Sequence, residues 1–145
     1  MKERELTQRE ARTKAEKLLT SAKAVYLATN GSHGHPNVRA MMPARIDGIG
    51  KIWFSTALDS SKIIELVKDD KAVVYGYSSR SMAEFRLWGN ITILVDVASR
   101  KKIWNDALKK YFEGGMNDPN LRVLRFDVVS GMYCNKERKS AIFTI

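Results

Sequence analysis

The residues best equipped to do chemistry lie between Asn37 and Lys62. The stretch reads Asn-Val-Arg-Ala-Met-Met-Pro-Ala-Arg, a turn, Lys-Ile-Trp-Phe-Ser-Thr, then Ala-Leu-Asp-Ser-Ser-Lys, where a helical pattern opens. A helix start presents unpaired N–H groups and partial positive charge. The Ser60 and Ser61 hydroxyls and the Lys62 ammonium add donors and charge, and together these favour a phosphate. Adjacent antiparallel strands are expected to bring Arg39 and the end of strand 51–56 to that same side, adding a charge-assisted contact. Backbone around Met41 and Met42 would then be free to hydrogen-bond a flat heterocycle. From the residues alone a plainer reading stays open: a capped helix beside two core-filling methionines.

Other candidates carry less. His33 and His35 are the only histidines, two apart on a turn, and no Cys, Asp or Glu is close in sequence as a third ligand, so no metal is expected. Cys134 sits in an apolar run with no histidine or basic helix terminus beside it in sequence, and is expected to be buried and inert. No nucleophile elbow, Walker loop or Gly-x-Gly-x-x-Gly follows a strand, so hydrolase and nucleoside-triphosphatase chemistry have no footing.

The elements that must position these residues follow from periodicity. Thr7 and Glu10 form a capping box, and Ala11, Ala15, Leu18, Leu19 and Ala22 make one helical stripe. Strands are expected over 24–29, 37–45 and 51–56, separated by the turns Asn30-Gly31-Ser32-His33-Gly34 and Asp47-Gly48-Ile49-Gly50. Asp59 or Ser60 caps a helix with Ile63, Ile64 and Val67 on one face. Strands 71–78 and 84–97 come next, the second interrupted by Gly89 as at a bulge. Ser99 is expected to cap a helix carrying Ile103, Trp104, Ala107, Leu108, Tyr111 and Phe112. A loop at 113–120 leads to closing strands at 121–128, 131–134 and 143–145. Antiparallel hairpins with helices at the ends make a small barrel in one domain, 1–145.

Composition agrees. The 145 residues are 44% hydrophobic, enough for one core. No apolar run is long enough to cross a bilayer. The start, Met1-Lys2-Glu3-Arg4-Glu5, lacks the apolar stretch of a signal peptide. One cysteine fits a reducing compartment, and a cytoplasmic protein is expected. The net charge of +9 is spread along the chain without a nucleic-acid reader motif, which speaks for solvated faces and against DNA or RNA as partner.

Several pieces then fall in a familiar order: Ala-Val-Tyr-Leu-Ala-Thr, Gly-His-Pro-Asn-Val-Arg-Ala-Met, Ile-Trp-Phe-Ser-Thr-Ala-Leu-Asp-Ser-Ser-Lys and Trp88-Gly89. After them come Ile103-Trp104, Tyr111-Phe112-Glu113-Gly114-Gly115 and Asp118-Pro119. In this the chain resembles the pyridoxamine phosphate oxidase-like flavin-binding split β-barrels, and among them the general stress proteins. The resemblance implies a mainly β, α+β fold, an antiparallel split β-barrel of FMN-binding type. It implies that Arg39, Ala40, Met41 and Met42 grip FMN by side chain and backbone. Ser55 and Thr56 would lie along the ribityl chain and flavin edge, and Ser61 and Lys62 would take the phosphate. Trp104 would be an aromatic near the flavin at a subunit interface. A homodimer with flavin at that interface is implied, and the leading activity is that of an FMN-dependent oxidoreductase drawing on NAD(P)H or another donor.

Two departures qualify it. The oxidase itself usually carries Arg-Lys where this chain has Ser61-Lys62, and the ending Asn135-Lys-Glu-Arg-Lys-Ser-Ala-Ile-Phe-Thr-Ile145 does not match the basic segment that holds its vitamin substrate. Pyridoxamine phosphate oxidation is therefore not expected. A flavin-binding stress protein without turnover, and a split barrel holding deazaflavin or haem, are the alternatives.

Overall fold

The computed structural model describes residues 5–145; Met1–Arg4, at the head of the charged N-terminal run, lie outside them. Helix α1 (Gln8–Ser21) starts where the capping box puts it: the Glu10 N–H donates to the Thr7 hydroxyl at 3.1 Å. Its inner stripe, Ala11, Ala15 and Leu19, is fully buried, and the helix packs chiefly on the last two strands of the chain.

Eight antiparallel strands form one sheet. They are β1 (Val25–Asn30), β2 (Pro36–Met41), β3 (Arg45–Asp47), β4 (Lys51–Ala57), β5 (Lys71–Ser78), β6 (Ala83–Leu94), β7 (Leu121–Cys134) and β8 (Ser140–Thr144). The order along the sheet is β2-β1-β5-β6-β7-β4-β3, with β8 added to β7. The sheet curls without closing, since β2 and β3, neighbours in sequence, stand at opposite ends of the path. This is a split barrel.

Several local expectations are corrected. The strand expected over 37–45 is two strands, because Pro43 has no N–H to offer a ladder. Consequently β2 is not the sheet neighbour of β4: β2 pairs with β1, and β4 with β3 and β7. The two closing strands at 121–128 and 131–134 are one, β7, which carries Val129 as an extra residue opposite Trp88 and Gly89. A Cβ at Gly89 would run into the Asp127 carbonyl, so the close approach at this bulge requires glycine.

The helices differ too. Helix α2 (Ser61–Lys68) is capped by Ser60, but its inner face is Ile63, Glu65 and Leu66, while Ile64 and Val67 are exposed. Helix α3 (Val97–Ile103) is capped by Asp96, with Ser99 inside its first turn. It ends before Trp104, and a 3-10 helix, Asp106–Lys110, follows with its own cap from Asn105 to the Ala107 N–H.

The strands have two buried faces. Ile52, Phe54, Leu124 and Phe126 point into the barrel with Leu27, Phe85 and Phe143. Trp53, Leu121 and Val123 face outward into a second core under Ile103 and Phe112. That double burial explains why Ile52, Trp53 and Phe54 are consecutive and apolar rather than alternating with polar residues.

Candidate functional site

Strand β2 ends at Met41 and the chain crosses to β3 through residues 42–44. Because β2 is terminal in the sheet, alternate N–H and C=O groups along it point away from β1 into open space. That crossing, the end of β4 and the 3-10 helix enclose a cavity of about 720 Å3. Its strand wall includes Ala40, Met41, Met42, Ser55 and Thr56, all five of which the sequence singles out. The opposite wall, which the sequence does not single out, is Asn105, Leu108, Lys110, Tyr111 and Phe112. Met42 and Tyr111 at its rim are 75% and 68% exposed.

Just upstream of each strand-wall segment, or just after it, stand the cations. Arg39 precedes Ala40 on β2, and Lys62 lies in the first turn of α2, which follows β4 after a short turn. The Ser60 hydroxyl accepts from the Lys62 N–H at 3.3 Å and from the Lys62 ammonium at 2.8 Å, folding that side chain over the helix start. Burial lowers the Lys62 pKa from 10.5; the nearby Arg39 charge lowers it further, and Glu65 opposes both. Ser61 is exposed beside it.

Arg39 has a partner that sequence reasoning does not find. Its Nη2 donates to Glu65 Oε1 at 2.9 Å and its Nη1 to the Thr29 hydroxyl at 2.7 Å. Asn37 Nδ2 donates to Glu65 Oε2 at 2.6 Å, and the Thr29 hydroxyl donates to Oε1 at 3.3 Å. Glu65 is buried and Arg39 keeps 21% of its side chain exposed. Burial pushes the Glu65 carboxyl upward, but the bonds from Asn37, Arg39 and Thr29 outweigh it, and the pKa falls below 4.5. The available signal was a lone Glu flanked by apolar residues on a short helix, hidden by placing the buried face at Ile64 and Val67.

Trp104 is brought to neither place within the chain. It is half-buried against the second core, next to Ile103 and Phe112. His33 and His35 are exposed in the β1–β2 turn, and no cluster of three potential metal ligands occurs among the described residues. Cys134 is buried. Among the described residues no helix is long and apolar enough to cross a membrane.

The residues present fit a flavin. The cavity is large enough for a tricyclic ring, is mainly apolar, and has hydroxyls at Ser55 and Thr56 along one edge. Beyond its strand wall lies a corner with two cations and a capped helix start, the chemistry a phosphate needs.

A split barrel with an apolar cavity beside a cationic corner defines a class of ligand-binding domain, and comparison places the chain within it. The family model for pyridoxamine 5'-phosphate oxidase-like proteins matches residues 10–145, and the chain belongs to that family. It is similar to a solved protein of Clostridium acetobutylicum related to general stress protein 26 of B. subtilis, of the pyridoxinephosphate oxidase family. That match has 32% identity and a TM-score of 0.84, over 97% of each chain. The general stress FMN/FAD binding protein of Xanthomonas citri is 29% identical, with a TM-score of 0.74, over 88% of this chain and 89% of that one. General stress protein 26 of Bacillus anthracis shares the fold at 17% identity, with a TM-score of 0.76 over 92% of this chain and 98% of its own. No curated protein matches.

Proposed function

We propose that this protein binds FMN in the 720 Å3 cavity and acts as an oxidoreductase of the general stress type in the cytoplasm. One observation carries the reading. Residues from two segments that are not sheet neighbours, Ala40, Met41 and Met42 on one side and Ser55 and Thr56 on the other, line a single, mainly apolar cavity, and Arg39 and Lys62, whose charges interact, adjoin those segments in sequence. The name of the Xanthomonas citri relative, an FMN/FAD binding protein, supports the same cofactor class.

The chain's own residues have defined tasks in this reading. Backbone of the β2 edge hydrogen-bonds the ring's polar rim, and Ser55 and Thr56 follow the ribityl chain. Lys62, Ser61 and the start of α2 hold the phosphate, with Arg39 behind them. The flavin supplies the redox chemistry, accepting electrons from a donor such as NAD(P)H and passing them on. Among the described residues, Lys110 and Tyr111 are the titratable side chains on the cavity wall, which suits a site where orientation and exclusion of water are the protein's share.

A homodimer belongs to the reading. The cavity is open at Met42 and Tyr111, and one outer sheet face is apolar along Tyr26, Val38, Val129 and Ile142, all exposed in the single chain. A second copy would cover both, and its Trp104 is the candidate aromatic to reach the flavin across the interface. The absence of a carboxylate, histidine or cysteine from the wall favours one second reading, a flavin-binding stress protein without turnover.

Purified protein should be yellow and should release a species of FMN mass on denaturation. A colourless protein that takes up neither FMN nor riboflavin would overturn the proposal. Anaerobic mixing with NADH and NADPH separates the two readings: bleaching of the flavin band supports the oxidoreductase, and a band unchanged with both donors supports the binder.

A further inference from the structure

The anion buried at the cationic corner needs a reason. Glu65 could be replaced by leucine without loss of packing on a helix face otherwise made by Ile63 and Leu66, and a buried ion pair rarely stabilises more than such a replacement. Near a phosphate it also costs repulsion. Its hydrogen bonds, however, reach into both halves of the proposed grip. Glu65 belongs to α2, one helical turn below Ser61 and Lys62, and its carboxylate receives Asn37 and Arg39 from β2 and Thr29 from β1.

We propose that Glu65 is a positioning residue for the phosphate subsite: it fixes α2 against β2 and holds Arg39 so that the guanidinium and Lys62 act on one anion. The inference rests on the flavin-phosphate reading and deepens it. Arginine has a planar fork of five donors. Here Nη2 is turned to Glu65 and Nη1 to Thr29 and, at 3.4 Å, to the Leu27 carbonyl, so the plane of the fork is set before any ligand arrives. The remaining exposed edge then meets a phosphate without the entropy loss of ordering a free arginine. The pair of cations with one carboxylate leaves a single net positive charge, so affinity comes from placement rather than from bare charge. Asn37 completes the device: its amide bond to Oε2 stops the carboxylate from rotating toward Lys62.

The test compares FMN with riboflavin, which has the same ring and no phosphate, by flavin fluorescence quenching on wild type, Glu65→Gln and Asn37→Ala. Glu65→Gln is expected to weaken FMN about tenfold, the size of one lost charge-assisted bond, and to leave riboflavin unchanged. Asn37→Ala, at an exposed position, should show the same phosphate-selective loss at about threefold, within the range of a neutral hydrogen bond. In an Arg39→Lys background, Glu65→Gln should have no further effect on FMN, because the side chain it orients is gone.

An FMN affinity that stays the same or rises in Glu65→Gln overturns the inference, since Glu65 would then be a bystander or a competitor for Arg39. Equal losses for FMN and riboflavin also overturn it, showing a structural role only. If Glu65→Gln does not fold, a folded Asn37→Ala with an unchanged FMN-to-riboflavin ratio does the same. Wild type that binds neither flavin overturns the flavin reading itself and this inference with it; a wild type that binds both isolates the question of Glu65.

Discussion

Arg39 and Lys62 are not equivalent cations, and the difference decides what mutating them will show. Lys62 leans only on its own helix cap, so Lys62→Ala should weaken FMN about tenfold while thermal stability stays near wild type. Arg39→Ala instead strips a buried carboxylate of its cation, leaving Asn37 and Thr29 alone with it. We expect a loss of about 2–3 kcal/mol in denaturant unfolding, below the value for a fully buried pair because Arg39 is partly exposed. Its flavin phenotype will be mixed with instability. Lys62 and Glu65 act at opposite ends of the pH range. Lys62 has a lowered pKa and must be charged to hold phosphate, so the preference for FMN over riboflavin should fall as pH rises through a value below 10.5. Lys62→Arg should abolish that fall. Glu65 has a lowered pKa in the folded state, so its stabilisation is present above 4.5 and is lost as pH falls through the folded value. Wild type should therefore lose more melting temperature than Glu65→Gln below that pH. At this scale the sequence names Arg39 and Lys62 as candidates and is silent on Glu65, because a buried partner is decided by which helix face turns inward.

Elements show where periodicity is enough and where it is not. Strands β1, β4 and β5 are legible because alternation or a doubly buried run has no competing reading over so few residues. The stretch from Ile103 to Phe112 looked like one helix since its apolar residues keep helical spacing. Asn105 breaks it by capping the Ala107 N–H, starting a separate 3-10 turn that becomes the cavity's far wall. The basic run Arg100-Lys101-Lys102 likewise reads as solvated, yet Arg100 is buried. It donates to the carbonyls of Val95, Met116, Asp118 and Leu121, tying α3 to the loop that follows the wall. Arg100→Met should cost about 3 kcal/mol and speed proteolytic nicking between residues 113 and 120, since four carbonyls, that of Leu121 buried, lose their shared donor. In the sheet, Gly89→Ala forces β6 away from the Asp127 carbonyl. It should cost about 2 kcal/mol or more in chemical denaturation, because the obstacle is backbone and has nowhere to relax.

For the whole molecule, the homodimer we propose would rest on the outer apolar face. Ile142 is 63% exposed on that face, so Ile142→Glu should leave the protomer folded. In sedimentation the variant should run as a monomer, with flavin lost in proportion, if the second copy completes the site. Fold class was readable from the order of hairpins and the split from the family resemblance; the place of the split was not, since Pro43 interrupts one strand and leaves β2 and β3 as ends. One further consequence follows from where α1 rests. Helix α1 buries Ala11, Ala15 and Leu19 largely on β7 and β8, with Gln8 accepting from the Thr144 N–H at 3.2 Å. Until residues 121–144 have been synthesised, that helix lacks most of its packing surface, and the hairpins already translated have an open end. Maturation of this domain is therefore gated by β7 and β8. Ribosome stalling before Phe143, which is fully buried, would leave a polypeptide with most of its secondary structure and no finished interior, a natural client for chaperones and proteases.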